Sequence, residues 1–165
     1  MAKLILCYLF IFSVQPSKMQ SSLEQLRQAY SSASTNTEIC RKQLDLIKEI
    51  KNPTVLELAY SGAYHAMWAE HATSPLAKLN SFKKGRDELE QAIRDGKGNT
   101  EIHFLRLTIQ YHAPAMVRYK QNIEEDLQNV LTNYDQVSSE TLKKNIKKFL
   151  IQTDLLSNEQ RKKMI

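Results

Sequence analysis

Residues 55–71, VLELAYSGAYHAMWAEH, decide how the rest of the chain is read. Val55, Leu56, Leu58, Tyr60, Tyr64, Met67 and Trp68 surround a helix on nearly every side, interrupted mainly by Glu57, Ser61 and His65. A helix that is apolar all round belongs in the interior, packed by other helices. Its Ala59, Gly62, Ala63 and Ala66 are small enough to admit a neighbouring helix closely, which accounts for a glycine that costs about 1 kcal/mol within a helix. This segment is therefore predicted to be the central helix.

Outward from it, capping signals recur at short intervals. Ser21 with Glu24 predicts a helix over about 22–33, and Thr35 with Glu38 a second over about 36–51. Asn52 and Pro53 open the central helix, which ends near Ala72. Ser74 and Pro75 open a fourth, running to about Arg94, where DGKGN (95–99) supplies a break. A fifth starts near Thr100 and is kinked or ended by Pro114. A sixth is expected over about 120–134, a seventh over 139–153, and Ser157 with Gln160 caps a short last one. The expected fold is all-α, about seven to eight helices in stacked antiparallel hairpins, because connections this short make sequential helices neighbours. The second helix sets Arg41, Lys42, Asp45, Lys48 and Glu49 on one arc, which places it on the surface.

Residues 4–14, LILCYLFIFSV, follow a single Lys3 and precede QPSKMQSS. A positive start, a short apolar core and a polar exit make a secretory signal peptide the expectation, with 1–20 as signal and linker and 21–165 as one helical domain. As a helix the run spans about 16 Å, roughly half the hydrocarbon core of a bilayer, which argues against a permanent anchor. No A-x-A precedes a cut near Val14, so an uncleaved tether is the alternative. Without the signal, Cys40 is the one cysteine left, and it is expected to be buried beside Ile39, Leu44, Leu46, Ile47 and Ile50.

The fifth helix holds the most unusual polar pattern. His103, Arg106 and Gln110 form a stripe about 60° wide. Ile102 and Ile109 flank it on one side and Leu107 on the other. A buried arginine must be paired, with Glu57, Glu70 and Asp87 as candidate partners. The stripe reads either as an ion-pair network locking helices or as a ligand site. Glu124, Glu125 and Asp126 open the sixth helix, where acidic residues suit its dipole. No metal or cofactor site is expected: His65 and His71 are six residues apart rather than three or four, and neither H-E-x-x-H, G-x-S-x-G nor a phosphate-binding loop occurs.

The net charge is +5, and residues 138–165 hold seven Lys/Arg against three acids, 7 − 3 = +4. Lys143, Lys144, Lys147 and Lys148 lie opposite Leu142, Ile146, Phe149 and Leu150. This is either a docked terminal helix with a solvated face or a patch for an anionic membrane surface, whereas an exported chain seldom meets nucleic acid.

Residues 53–112, with AYSGAYHAMW in a first helix, LEQAI near the end of a second, and EIHFLRL opening the next, resemble a tetratricopeptide-type repeat in degenerate form. Gly96 and Gly98 stand where the repeat has proline, and the helices exceed its usual length. EIHFLRLTIQYHAP together with the amino-terminal segment also resembles uncharacterised exported helical proteins of bacteria. The resemblance implies a protein–protein scaffold. The runner-up is a small-molecule or enzymatic site around Arg106.

Overall fold

The computed structural model describes residues 18–164, with side chains from 22 to 163; the expected signal segment and Cys7 lie outside the described residues. Every regular element among the described residues is helical: α1 (Lys18–Ala33), α2 (Thr37–Lys48), α3 (Val55–His71), α4 (Pro75–Gly96), α5 (Thr100–His112), α6 (Ile123–Asn133), α7 (Glu140–Gln152) and α8 (Asn158–Met164). Two 3₁₀ turns, η1 (Ala115–Val117) and η2 (Tyr134–Gln136), bracket α6. Consecutive helices α1 to α6 pack on one another, α3 also meets α5, and α7 closes the stack by packing on α1 and α5. The all-α hairpin stack is thus as the capping pattern predicts.

Local chemistry sets the boundaries, and several shift from the expected residue. Helix α1 begins at Lys18, upstream of Ser21, and Glu24 accepts from Thr141 Oγ1 at 2.6 Å. Asn36, not Thr35, caps α2, its side chain accepting from Ile39 N at 3.0 Å. Thr54, not Asn52, caps α3 in a reciprocal box with Glu57, each side chain bonding the other's backbone N–H. Ser74 and Asn99 cap α4 and α5. Helix α4 runs two residues past Arg94, and left-handed Lys97 (φ 42°) and Gly98 (φ 84°) reverse the chain. Proline 114 ends α5 rather than kinking it.

Helix α3 is interior as expected, and its contact with α4 depends on two glycines. A Cβ on Gly62 would stand 2.7 Å from Gly85 O and 2.8 Å from Leu89 N. One on Gly85 would stand 2.5 Å from Ala66 N and Gly62 O. Backbone meets backbone here, so neither site has room for a methyl group. Beside this seam, Tyr30 of α1 meets Tyr60 and Tyr64 of α3 edge-on at 5.8 and 5.9 Å. Its hydroxyl hydrogen-bonds Thr108 of α5. Cys40 is fully buried, and burial pushes its thiol up to about 11. Along α2 and at its C-cap, which comes before the expected end near 51, Arg41, Lys42, Asp45, Lys48 and Glu49 are all exposed. Helix α5 is more deeply placed still, with every residue from Glu101 to Gln110 buried.

Candidate functional site

Three polar side chains of α5 are buried against neighbouring helices: Glu101 meets α1 and α3, while Arg106 and His103 share a partner on α6. At its first turn Glu101 receives Arg27 of α1 through two hydrogen bonds, Nε to Oε1 at 2.7 Å and NH2 to Oε2 at 2.8 Å. Tyr60 of α3 donates to the same Oε1 at 2.7 Å. The paired hydrogen bonds that Arg27 donates to Glu101 raise the Arg27 pKa, overcoming burial.

Further along, Arg106 reaches α6. Its Nε donates to Asp126 Oδ2 at 2.8 Å and its NH2 to Asp126 Oδ1 at 2.7 Å. Glu90 of α4 lies 3.3 Å from NH1 and Glu125 lies 3.5 Å from NH2. The expected candidates Glu57, Glu70 and Asp87 do not supply the partner. Glu57 is spent on the α3 cap and Ser22, Asp87 pairs with Arg86 on the surface, and Glu70 is exposed. Nor is Asp126 merely a dipole-matching acid at the start of α6, since it is 0% exposed and is the counter-ion of Arg106. Its role was hidden because Glu124 and Glu125, beside it in sequence, are exposed. Burial opposes the charge on Arg106, yet the Asp126 hydrogen bonds and the nearby carboxylates outweigh it and raise its pKa. Behind them Tyr119 donates to Glu90 Oε1 at 2.6 Å. Burial, then Glu90, drives its pKa far up.

His103 belongs to the same cluster, its Nδ1 standing 2.6 Å from Asp126 Oδ1. The carboxylate holds the proton on Nδ1, which leaves Nε2 an acceptor whenever the ring is neutral. Gln110 lies apart from this pair: its Oε1 accepts from Asn122 N at 2.9 Å, at the start of α6, and its Nε2 is buried with no partner. The stripe therefore joins α5 to α6 at two places and presents one imidazole.

As to metal, His103, Glu125 and Asp126 bring ligand atoms within 4.8 Å of one another. Both Asp126 oxygens already accept from Arg106, and a cation there would be held against the guanidinium. His71 bonds Thr37 and the Ala33 carbonyl, an inter-helix tie. The lysine row of α7 places Lys144 and Lys148 in solvent with Lys143 and Lys147 half-buried, and none forms an ion pair among the described residues. No described helix is long and apolar enough to cross a membrane. No family model, curated protein or solved structure matches the chain.

Proposed function

We propose that this chain is an exported helical interaction module, a scaffold that holds a protein partner and needs no cofactor. One observation carries the reading. Arg106, the residue best suited to hold an anionic substrate, is 2% exposed and bonded to Asp126 through two of its nitrogens. A guanidinium so engaged fixes helices and leaves little to offer a ligand. The tetratricopeptide resemblance agrees with this, since hairpin stacks present side-chain surfaces to partners. The apolar side chains exposed on the described surface, Leu76, Leu79 and Met116 among them, are also available for contact.

A small-molecule or enzymatic reading is favoured by a single feature, the unbonded Nε2 of His103, and Arg106 gives it no open face. Affinity capture of the tagged full chain from its native cells, followed by gel filtration, tests the proposal. The expected result is a protein partner in stoichiometric amount. If none co-elutes while a pool of metabolites raises the Tm of the purified chain, the module reading is overturned. Export rests on LILCYLFIFSV, and mass analysis of the mature protein is expected to find an N-terminus beyond Val14. A chain retaining residues 4–14 would replace release with tethering.

A further inference from the structure

An open cavity of about 580 Å³ lies over His103, between the end of α4 and α6. His103 and Glu125 are its ionisable lining residues, Ile93 gives it an apolar wall, and neither lysine nor arginine lines it. His103 is 6% exposed and its ring is held in place, since Asp126 engages Nδ1 and is itself gripped by Arg106 through both oxygens. That leaves Nε2 as a lone-pair acceptor with no bond to the protein. Nε2 is not among the fully enclosed unpartnered atoms, so it meets the cavity that the ring lines. Glu125 spends Oε2 on Asn122 Nδ2 at 2.8 Å and faces Arg106 at 3.5 Å with the same oxygen, while its Oε1 makes no bond.

Charge beside this cavity is out of balance. Asp126, Glu90 and Glu125 stand 2.7, 3.3 and 3.5 Å from nitrogens of Arg106, and among the described residues no other arginine or lysine pairs with them. With His103 neutral the cluster carries 1 − 3 = −2. Surplus negative charge at the edge of an open cavity favours a cation there, and the two unspent acceptors, Nε2 and Oε1, belong to the two residues of the cluster that line it.

We propose that this cavity binds a primary alkylammonium group, which donates to His103 Nε2 and Glu125 Oε1 and lays its carbon chain against Ile93. A ring nitrogen of His103 stands within 4.8 Å of a Glu125 oxygen, and the glutamate side chain, 57% exposed, is free to turn toward Nε2. An ammonium supplies the N–H donors that both acceptors lack. A zinc-like metal is the poorer fit, because it takes three or four protein ligands and Asp126, with both oxygens given to Arg106, leaves only two. A free amine and a lysine side chain of a partner polypeptide offer the same chemistry; only the second rests on the interaction-module reading.

The test titrates the full chain, labelled with ¹⁵N, with n-butylammonium chloride; n-butanol and sodium chloride of matched ionic strength are the comparison probes. Butylammonium is expected to move the His103 ring Nε2 signal and the amides of Ile93, Gly98 and Thr132 along saturating curves, and the comparison probes to leave them in place. Glu125→Gln, at an exposed position, is expected to weaken binding about threefold, the size of one partly exposed charge pair. Thr132→Trp, at an exposed cavity-lining position outside the ion pairs, fills the cavity and is expected to abolish binding. Saturation retained in Thr132→Trp, butanol equally effective, or shifts that never saturate and scatter over surface acids would each overturn the site. Zinc chloride moving Nε2 where butylammonium does not would overturn it as well. Capture from native cells separates the two sources. A partner held by wild type, released by excess butylammonium and not held by Thr132→Trp, brings the ammonium on a lysine. A partner held alike in all three leaves the cavity to a free amine, and the module stands. If wild type captures nothing while butylammonium still saturates, the module reading falls and the site stands.

Discussion

On one side of α5, Glu101 holds Arg27 and Tyr60; on the other, Arg106 holds Asp126, with Glu90 and Tyr119 behind it. Each network combines a bidentate arginine, a carboxylate and a tyrosine donor. They differ in balance and depth. Arg27 faces Glu101, with the more exposed Glu24 at 3.5 Å, and its side chain is 18% accessible. Arg106 faces three carboxylates, and its side chain and that of Asp126 are 3% and 0% accessible. A network near solvent retains water as a substitute partner, whereas the deeper one depends on the protein for its counter-charge.

The largest difference is therefore expected on deleting the acids. Asp126→Ala strips the closest counter-ion from a buried guanidinium and the hydrogen-bond acceptor from His103, and a loss of about 3–5 kcal/mol is expected in urea unfolding. Glu101→Ala should cost less, about 2 kcal/mol, because Arg27 can turn toward water. Equal losses would show that depth does not separate the two networks. Arg106→Leu combined with Asp126→Leu should recover most of the single-variant loss, since an apolar pair leaves no orphaned charge.

Alkaline pH probes the tyrosine members. Burial, reinforced by Glu101, holds the Tyr60 phenol well above its ordinary value, and burial with Glu90 does the same for Tyr119. Above pH ~10 the unfolded tyrosines release their protons while the folded ones retain them. The folded state then binds more protons, so stability falls as pH rises, by about 1.4 kcal/mol per pH unit for each such tyrosine. Tyr30 and Tyr64, also raised by burial, add to the slope. Tyr60→Phe and Tyr119→Phe should each flatten it by one share, measured as Tm between pH 9 and 11. A slope unchanged in Tyr119→Phe would mean that this phenol ionises freely.

The geometry bears on what sequence can convey. The central position of α3 was readable because its apolar residues surround the helix, and Gly62 announced a close approach. Gly85 did not, since KKGRDE offers no apolar context to mark a packing face, although its contact is the tighter of the two. Arg106 was legible as a buried cation from the apolar residues beside it, but its partner lies twenty residues on, in a run of three acids of which only Asp126 is buried. Periodicity reports which face of one helix turns inward. It does not report which acid a second helix brings to meet it.

Replacing Arg27 with lysine keeps the charge and removes the fork. Glu101 would then receive one point donor in place of two aligned hydrogen bonds, and a loss of about 1 kcal/mol is expected. The same change at Arg106 has further to fall, because lysine cannot span both oxygens of Asp126 while also facing Glu90 and Glu125. A loss at Arg27 equal to that at Arg106 would show that charge, and not the bidentate fit, holds α5 in place.

The lysines of α7 set the lower limit of the scale. Lys144 and Lys148 project into solvent and make no ion pair among the described residues, while Leu142, Ile146 and Leu150 secure the helix from its other face. Reversing both charges in Lys144→Glu/Lys148→Glu removes no partner, so unfolding free energy should change by about 0.5 kcal/mol or less. Retention on vesicles containing anionic lipid at low salt is the separate readout. If the row meets an anionic surface, retention disappears in the reversed variant and in wild type at high ionic strength, with stability unaffected. If wild type is never retained, these lysines do no more than keep a docked helix solvated. A stability loss above 1 kcal/mol would instead place them with Arg27 and Arg106 as charges that hold the fold.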